Sequence, residues 1–146
     1  MKRFNFPLER VRRWRLEQLN IEELKLQQVR AERQALVDAK QQARDDLAQS
    51  RQEVLAQSSM LGLELENLDS FGIHVHDKIR GIENREQQSE AKVVEQRGRV
   101  LEARRQFELL DGLREKALAK WKAAGDKEQE TLAGELFLAR STRNAG

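Results

Sequence analysis

Residues 79–121, IRGIENREQQSEAKVVEQRGRVLEARRQFELLDGLREKALAKW, decide the fold. Ile79, Glu86, Val93, Val100, Phe107, Arg114 and Trp121 recur every seven residues, and Ile82, Ser89, Gln96, Ala103, Leu110, Ala117 and Ala124 follow each of them by three. Alternating steps of three and four keep both series on one helix face, which is the pattern of a coiled-coil seam. Glu86, Ser89 and Gln96 interrupt it in one stretch, where hydrophobic association weakens while register is constrained. Gly72, Gly81, Gly98, Gly112 and Gly125 soften the helix further, each by about 0.8–1 kcal/mol relative to alanine.

Upstream, Val29, Leu36 and Ala43, then Leu47, Val54 and Leu61, keep the seven-residue step on either side of a shift of four. That shift reads as a stutter, which relaxes left-handed supercoiling locally. Pro7 has no backbone donor and a helical φ, so it suits a first turn, and helix one is expected over about 7–57. In Gln57–Leu65 the serine hydroxyls compete for backbone hydrogen bonds and Gly62 tolerates positive φ, which places the reversal near 58–65. Helix two follows over about 64–138, with a disordered tail at about 140–146.

The expected fold is therefore all-α: a single coiled-coil domain over 1–146, a long antiparallel two-helix hairpin whose C-terminal helix is the longer. Paired residue numbers should add to roughly 122, which sets Trp121 beside the N-terminal segment with Trp14 about two turns away. A rod on the order of 80 Å long, without an enclosed pocket, is the expected form.

Composition agrees with long helices. The chain is 36% charged and 5% aromatic with a mean hydropathy of -0.80, too little apolar material for a compact two-layer core. Its 38% hydrophobic content and net charge of +2 argue against disorder. No run approaches the roughly 18–20 apolar residues that cross a bilayer, and the start lacks the apolar core of a secretory signal, so a cytosolic protein is expected. The absence of cysteine excludes disulfides and thiolate metal sites.

Little in the chain points to chemistry. His74-Val75-His76-Asp77 is the one cluster resembling a metal site, but helical residues two apart point about 200° from each other and cannot converge on one ion. Glu22-Glu23, Asp45-Asp46 and Glu64/Glu66 read as solvated helix faces, because a narrow rod cannot desolvate carboxylates enough for acid–base work. No enzymatic activity, cofactor or metal is expected.

The first fifteen residues carry Lys2, Arg3, Arg10, Arg12, Arg13 and Arg15 against Glu9 alone, at the unfavourable positive end of a helix dipole. Nucleic-acid binding is the generic meaning of such a patch. An acidic protein partner explains it better, because the charges surround Phe4, Phe6 and Trp14, and arginine with aromatic residues anchors protein interfaces.

The opening Phe4-x-Phe6-x-Leu8-Glu9-x-Val11-x-x-Trp14-x-x-Glu17 resembles the start of the FliJ family, coiled-coil proteins of the bacterial flagellar type III export apparatus. The run from Phe107 through Leu110, Leu113, Arg114 and Lys116 to Trp121 is similar to the family's distal helix, and Glu128-Gln129-x-x-Leu132 to its closing segment. Ala133-Gly134 departs from the acidic pair usual in the family.

The resemblance implies a stalk, similar in form to the rotor shaft of the rotary ATP synthase, whose terminal end enters the hexameric export ATPase. That end corresponds to Phe6–Leu19 with Leu110–Leu132, and the ATPase-binding residues it implies are Phe4, Phe6, Leu8, Val11, Arg12, Arg13, Trp14, Leu110, Leu113, Arg114, Lys116 and Trp121. It also implies contact of Phe71, Val75 and Ile79 with the cytoplasmic domain of the export-gate membrane protein, handling of export chaperones, and a cytoplasmic location peripheral to the inner-membrane export apparatus. Alternatives are an injectisome stalk, a basic nucleic-acid-binding coiled coil, or a dimeric scaffold in which a second chain covers Glu86–Gln96.

Overall fold

The computed structural model describes residues 2–57 and 62–145. Two helices account for nearly all of them: α1 over Glu9–Leu55 and the longer α2 over Gly62–Ala145. Pro7 lies just before α1. Glu9 N donates to Phe6 O at 3.1 Å and Arg12 N to Leu8 O at 2.9 Å, so the first turn is built around a residue with no donor to lose. At the other end Ala56 N donates to Gln52 O at 2.9 Å and Gln57 N to Val54 O at 3.3 Å, which satisfies carbonyls the helix leaves open.

Of the expected reversal at 58–65, residues 58–61 lie outside the described residues. Gly62 opens α2 instead of forming a turn, and none of the described glycines has positive φ. α2 also runs past the expected end near 138 and through the segment expected to be a disordered tail, as far as Ala145. Leu, Ala and Arg favour helix, no proline intervenes, and Thr142 Oγ1 donates back to Leu138 O at 2.7 Å. No described helix is long and apolar enough to cross a membrane.

The chain groups into two compact units, one of residues up to Asn20 with Glu102 onward, the other Ile21–Leu101. In the second unit Leu26, Ala43 and Leu47 of α1 are buried against Val75, Ile79, Ile82, Val93 and Val100 of α2. Arg33 meets Glu90 at 2.8 Å, Lys40 meets Glu86 at 3.0 Å and Arg44 meets Glu83 at 3.9 Å. Numbers rise on one helix as they fall on the other, so the pairing is antiparallel, with paired numbers that add to 123–127, slightly above the expected sum.

The stutter is absent. Ala43 and Leu47 are both buried, with Lys40, Ser50 and Val54 half-buried beside them. Val29, Leu36 and Ala43, and Leu47 and Val54, are the two alternating positions of one unbroken heptad, in which Arg33 and Lys40 occupy seam positions, while Leu61 lies outside the described residues. Counting apolar residues alone hid them.

The polar stretch of α2 is covered by α1 itself, so no second chain is needed to cover it. Gln96 Nε2 donates to Glu22 O at 3.0 Å and to the Glu22 carboxylate, and Glu86 accepts from Lys40. Glu86 Oε1 and Ser89 Oγ are buried without a hydrogen-bond partner among the described residues.

In the first unit Phe6 and Leu19 are buried, and Phe107, Leu110, Ala117 and Trp121 are half-buried. Ala124, expected in the seam, is exposed, and Gly125 is buried in its place. Every residue from 126 to 145 is exposed, because α1 has no residues left to pair with them.

Two stability predictions follow from the second unit. Lys40→Ala, which strands the half-buried Glu86 carboxylate, lowers unfolding free energy by about 1–2 kcal/mol, whereas Lys40→Met with Glu86→Leu is neutral or stabilising; urea unfolding followed by far-ultraviolet circular dichroism checks both. A methyl group at Gly98 meets nothing within 4 Å, so Gly98→Ala stabilises by about 1 kcal/mol in the same assay.

Candidate protein-docking site at an aromatic and arginine cluster

The first unit gathers the two sequence stretches richest in aromatic and basic residues. Pro7 separates α1 from an arm, residues 2–6, that is outside any helix and lies along α2. The Phe4 ring packs on Trp121 with centroids 5.8 Å apart and planes tilted by 58°, and Trp121 Nε1 donates to Lys2 O at 3.0 Å. The Arg114 guanidinium lies 5.7 Å from the Phe4 ring centre. Cation–π and tilted-ring contacts each add about 0.5–1.5 kcal/mol at such sites.

One turn along, the charges that looked unopposed find partners. Arg12 donates through Nε and Nη2 to Asp111 Oδ1 at 3.0 and 2.9 Å, and through Nη1 to Glu9 Oε1 at 3.2 Å. Its guanidinium lies 5.3 Å from the Phe107 ring centre. Glu9 also meets Arg13 Nε at 3.4 Å and Arg114 Nε at 3.5 Å, so one carboxylate serves three arginines. Arg15 donates to Gln106 and lies 4.8 Å from the Trp14 ring centre.

The hydrogen bond to Asp111 raises the Arg12 pKa above its ordinary value, with the charges of Glu9 and Asp111 adding and desolvation opposing. A raised folded-state pKa contributes stability present below the unfolded value and lost only as pH rises through the folded one. Both values lie far above neutrality, so Arg12 adds no pH dependence to folding near pH 7.

The expected ATPase-binding residues thus divide by what they touch. Phe6 is buried; Phe4, Arg12, Leu110, Arg114 and Trp121 are half-buried and hold the arm and α1 against α2. Leu8, Val11, Arg13, Trp14, Leu113 and Lys116 are exposed, Trp14 by 50%. Asp111 and Gln106 were not singled out by sequence, although a pairing sum of roughly 122 points to both. The unit has fifteen Lys and Arg against ten Asp and Glu, a net +5.

The expected gate-contact residues do not share a surface. Val75 is 4% exposed and Ile79 8%, both in the cluster with Ala43 and Leu47, while Phe71 is 37% exposed. His74 and His76 are exposed on either side of Val75. Among the described residues no three His, Cys, Asp or Glu side chains gather where they could hold a metal ion.

Comparison of the chain with known protein families, curated proteins and solved structures gives no match.

In a Trp14→Phe background, Phe4→Ala is expected to move Trp121 emission to longer wavelength and lower unfolding free energy by about 1 kcal/mol, read by fluorescence during urea unfolding.

Proposed function

We propose that this chain is a non-enzymatic stalk of the flagellar type III export apparatus, which binds and stimulates the hexameric export ATPase. The single observation that carries the proposal is the joining of the two stretches on which the family resemblance rests. The aromatic opening and the Phe107–Trp121 run are far apart in sequence, yet Phe4 packs on Trp121 and Arg12 pairs with Asp111.

Leu8, Val11, Arg13, Trp14, Leu113 and Lys116 form the face offered to the ATPase, while Phe6, Arg12, Leu110 and Arg114 hold that face in place. Such a surface mixes apolar anchors with basic charge and suits acidic, partly apolar walls. A two-helix stalk cannot meet six subunits identically. It therefore favours particular conformations of some of them and lowers the barrier to sequential turnover. Coupling to the export gate, through Phe71, and to export chaperones at the inner-membrane export apparatus completes the proposal.

Nucleic-acid binding is favoured by the net +5 of the unit, but Arg12 and Arg114 already face Asp111 and Glu9. It predicts retention on RNA at about 150 mM salt, where weak polyelectrolyte contacts have faded.

Trp14→Ala combined with Arg13→Glu changes only exposed side chains. In steady-state ATP hydrolysis by a flagellar export ATPase, this variant is expected to lose about tenfold in half-saturating concentration for stimulation, with helicity unchanged. Lys25→Ala, in the other unit, leaves stimulation as it was. Equal stimulation by all three proteins contradicts the assignment of this face.

A further inference from the structure

The seam of the second unit has two unlike flanks. On one, Phe71 lies near Ser50, Val54 and Glu64. On the other, an open groove of about 490 Å³ runs between the helices, with Arg44, Arg51, His76 and Arg80 along its edges and Leu47 and Ile79 at its floor. Arg44 is spent in part on Glu83, 3.9 Å away. Arg51 and Arg80 meet no carboxylate within ion-pair distance among the described residues. Arg51 extends across the seam from α1: its Nη2 lies 4.0 Å from where a side chain on Gly72 would begin. Beyond Arg51 and His76 a second groove continues to the exposed Leu65 and Ile73.

We propose that this flank docks an acidic amphipathic helix of a partner protein, whose carboxylates pair with Arg51 and Arg80 while its apolar side chains rest on Leu65 and Ile73. Two guanidinium groups without partners beside exposed apolar side chains fit a ligand that is both anionic and apolar. The charge balance decides against larger polyanions. The unit holds twelve Lys and Arg against fifteen Asp and Glu, a net −3. Nucleic acid or an anionic membrane samples charge over a Debye length of about 8 Å and more, and is repelled by that excess. A short segment that places a few carboxylates meets Arg51 and Arg80, with Glu83 already facing Arg44 and Asp69 the one other carboxylate of the two grooves among the described residues. The inference concerns a different unit from the proposed ATPase-binding face, and its test contains no ATPase, so either can fail without the other.

The test is fluorescence anisotropy with the full chain and a labelled helical peptide of about 16 residues, leucine at i, i+3, i+4 and i+7, glutamate at three positions flanking that stripe and glutamine or alanine elsewhere, beside the same peptide with glutamine for glutamate. The acidic peptide is expected to bind. Arg51→Gln with Arg80→Gln weakens it about tenfold at unchanged helicity, and Arg30→Gln with Arg85→Gln, which removes equal charge from exposed positions of the same unit outside the groove, leaves it unaffected. Absence of binding, equal binding of the glutamine peptide, or equal losses in both double variants overturns the proposal. So does tighter, Arg51- and Arg80-dependent binding of a single-stranded RNA or of phosphatidylserine vesicles.

Discussion

Each of the two units depends on a narrow seam between α1 and α2. A helix with a single partner can bury only the stripe that faces it, so among the described residues the buried apolar side chains lie at heptad spacing or at the arm that closes on α2. An apolar seam alone tolerates slippage by one heptad. Here a slip would carry Lys40 from Glu86 to the level of Ile79 or Val93, and Gln96 away from Glu22, stranding half-buried polar groups. The polar stretch is therefore better understood as a device that fixes register than as a weak point.

The same logic explains the basic opening. Six positive charges near the start of a helix are unfavourable by themselves. Asp111 arrives from α2 and Glu9 turns toward three arginines, so the cluster becomes part of how the helices are held. What remains for a partner is the exposed set around Trp14, together with the net +5 of its unit. Structural and interaction roles are thus divided among neighbouring residues of one short segment.

Much of this was legible in sequence. The period of α2 named Ile79, Ile82, Val93 and Val100 directly, and a short connection between two long helical stretches gave the antiparallel pairing. One feature that escaped turns on charged residues at the seam. Arg33 and Lys40 sit at seam positions that a search for apolar residues passes over, which turned an unbroken heptad into a stutter. The gate contact of Val75 and Ile79 was implied by the family resemblance, although Ile79 already stood in the heptad that α1 covers. The end of α2 was placed too early because Gly134 and the absence of a packing partner suggested fraying that helix propensity outweighs.

The most direct test of the stalk assignment is the stoichiometry of ATPase stimulation. A purified flagellar export ATPase is titrated with this chain while steady-state ATP hydrolysis is followed. A central stalk predicts stimulation that saturates near one chain per six ATPase subunits. Saturation near one chain per subunit, or no stimulation by folded, helical protein, contradicts it.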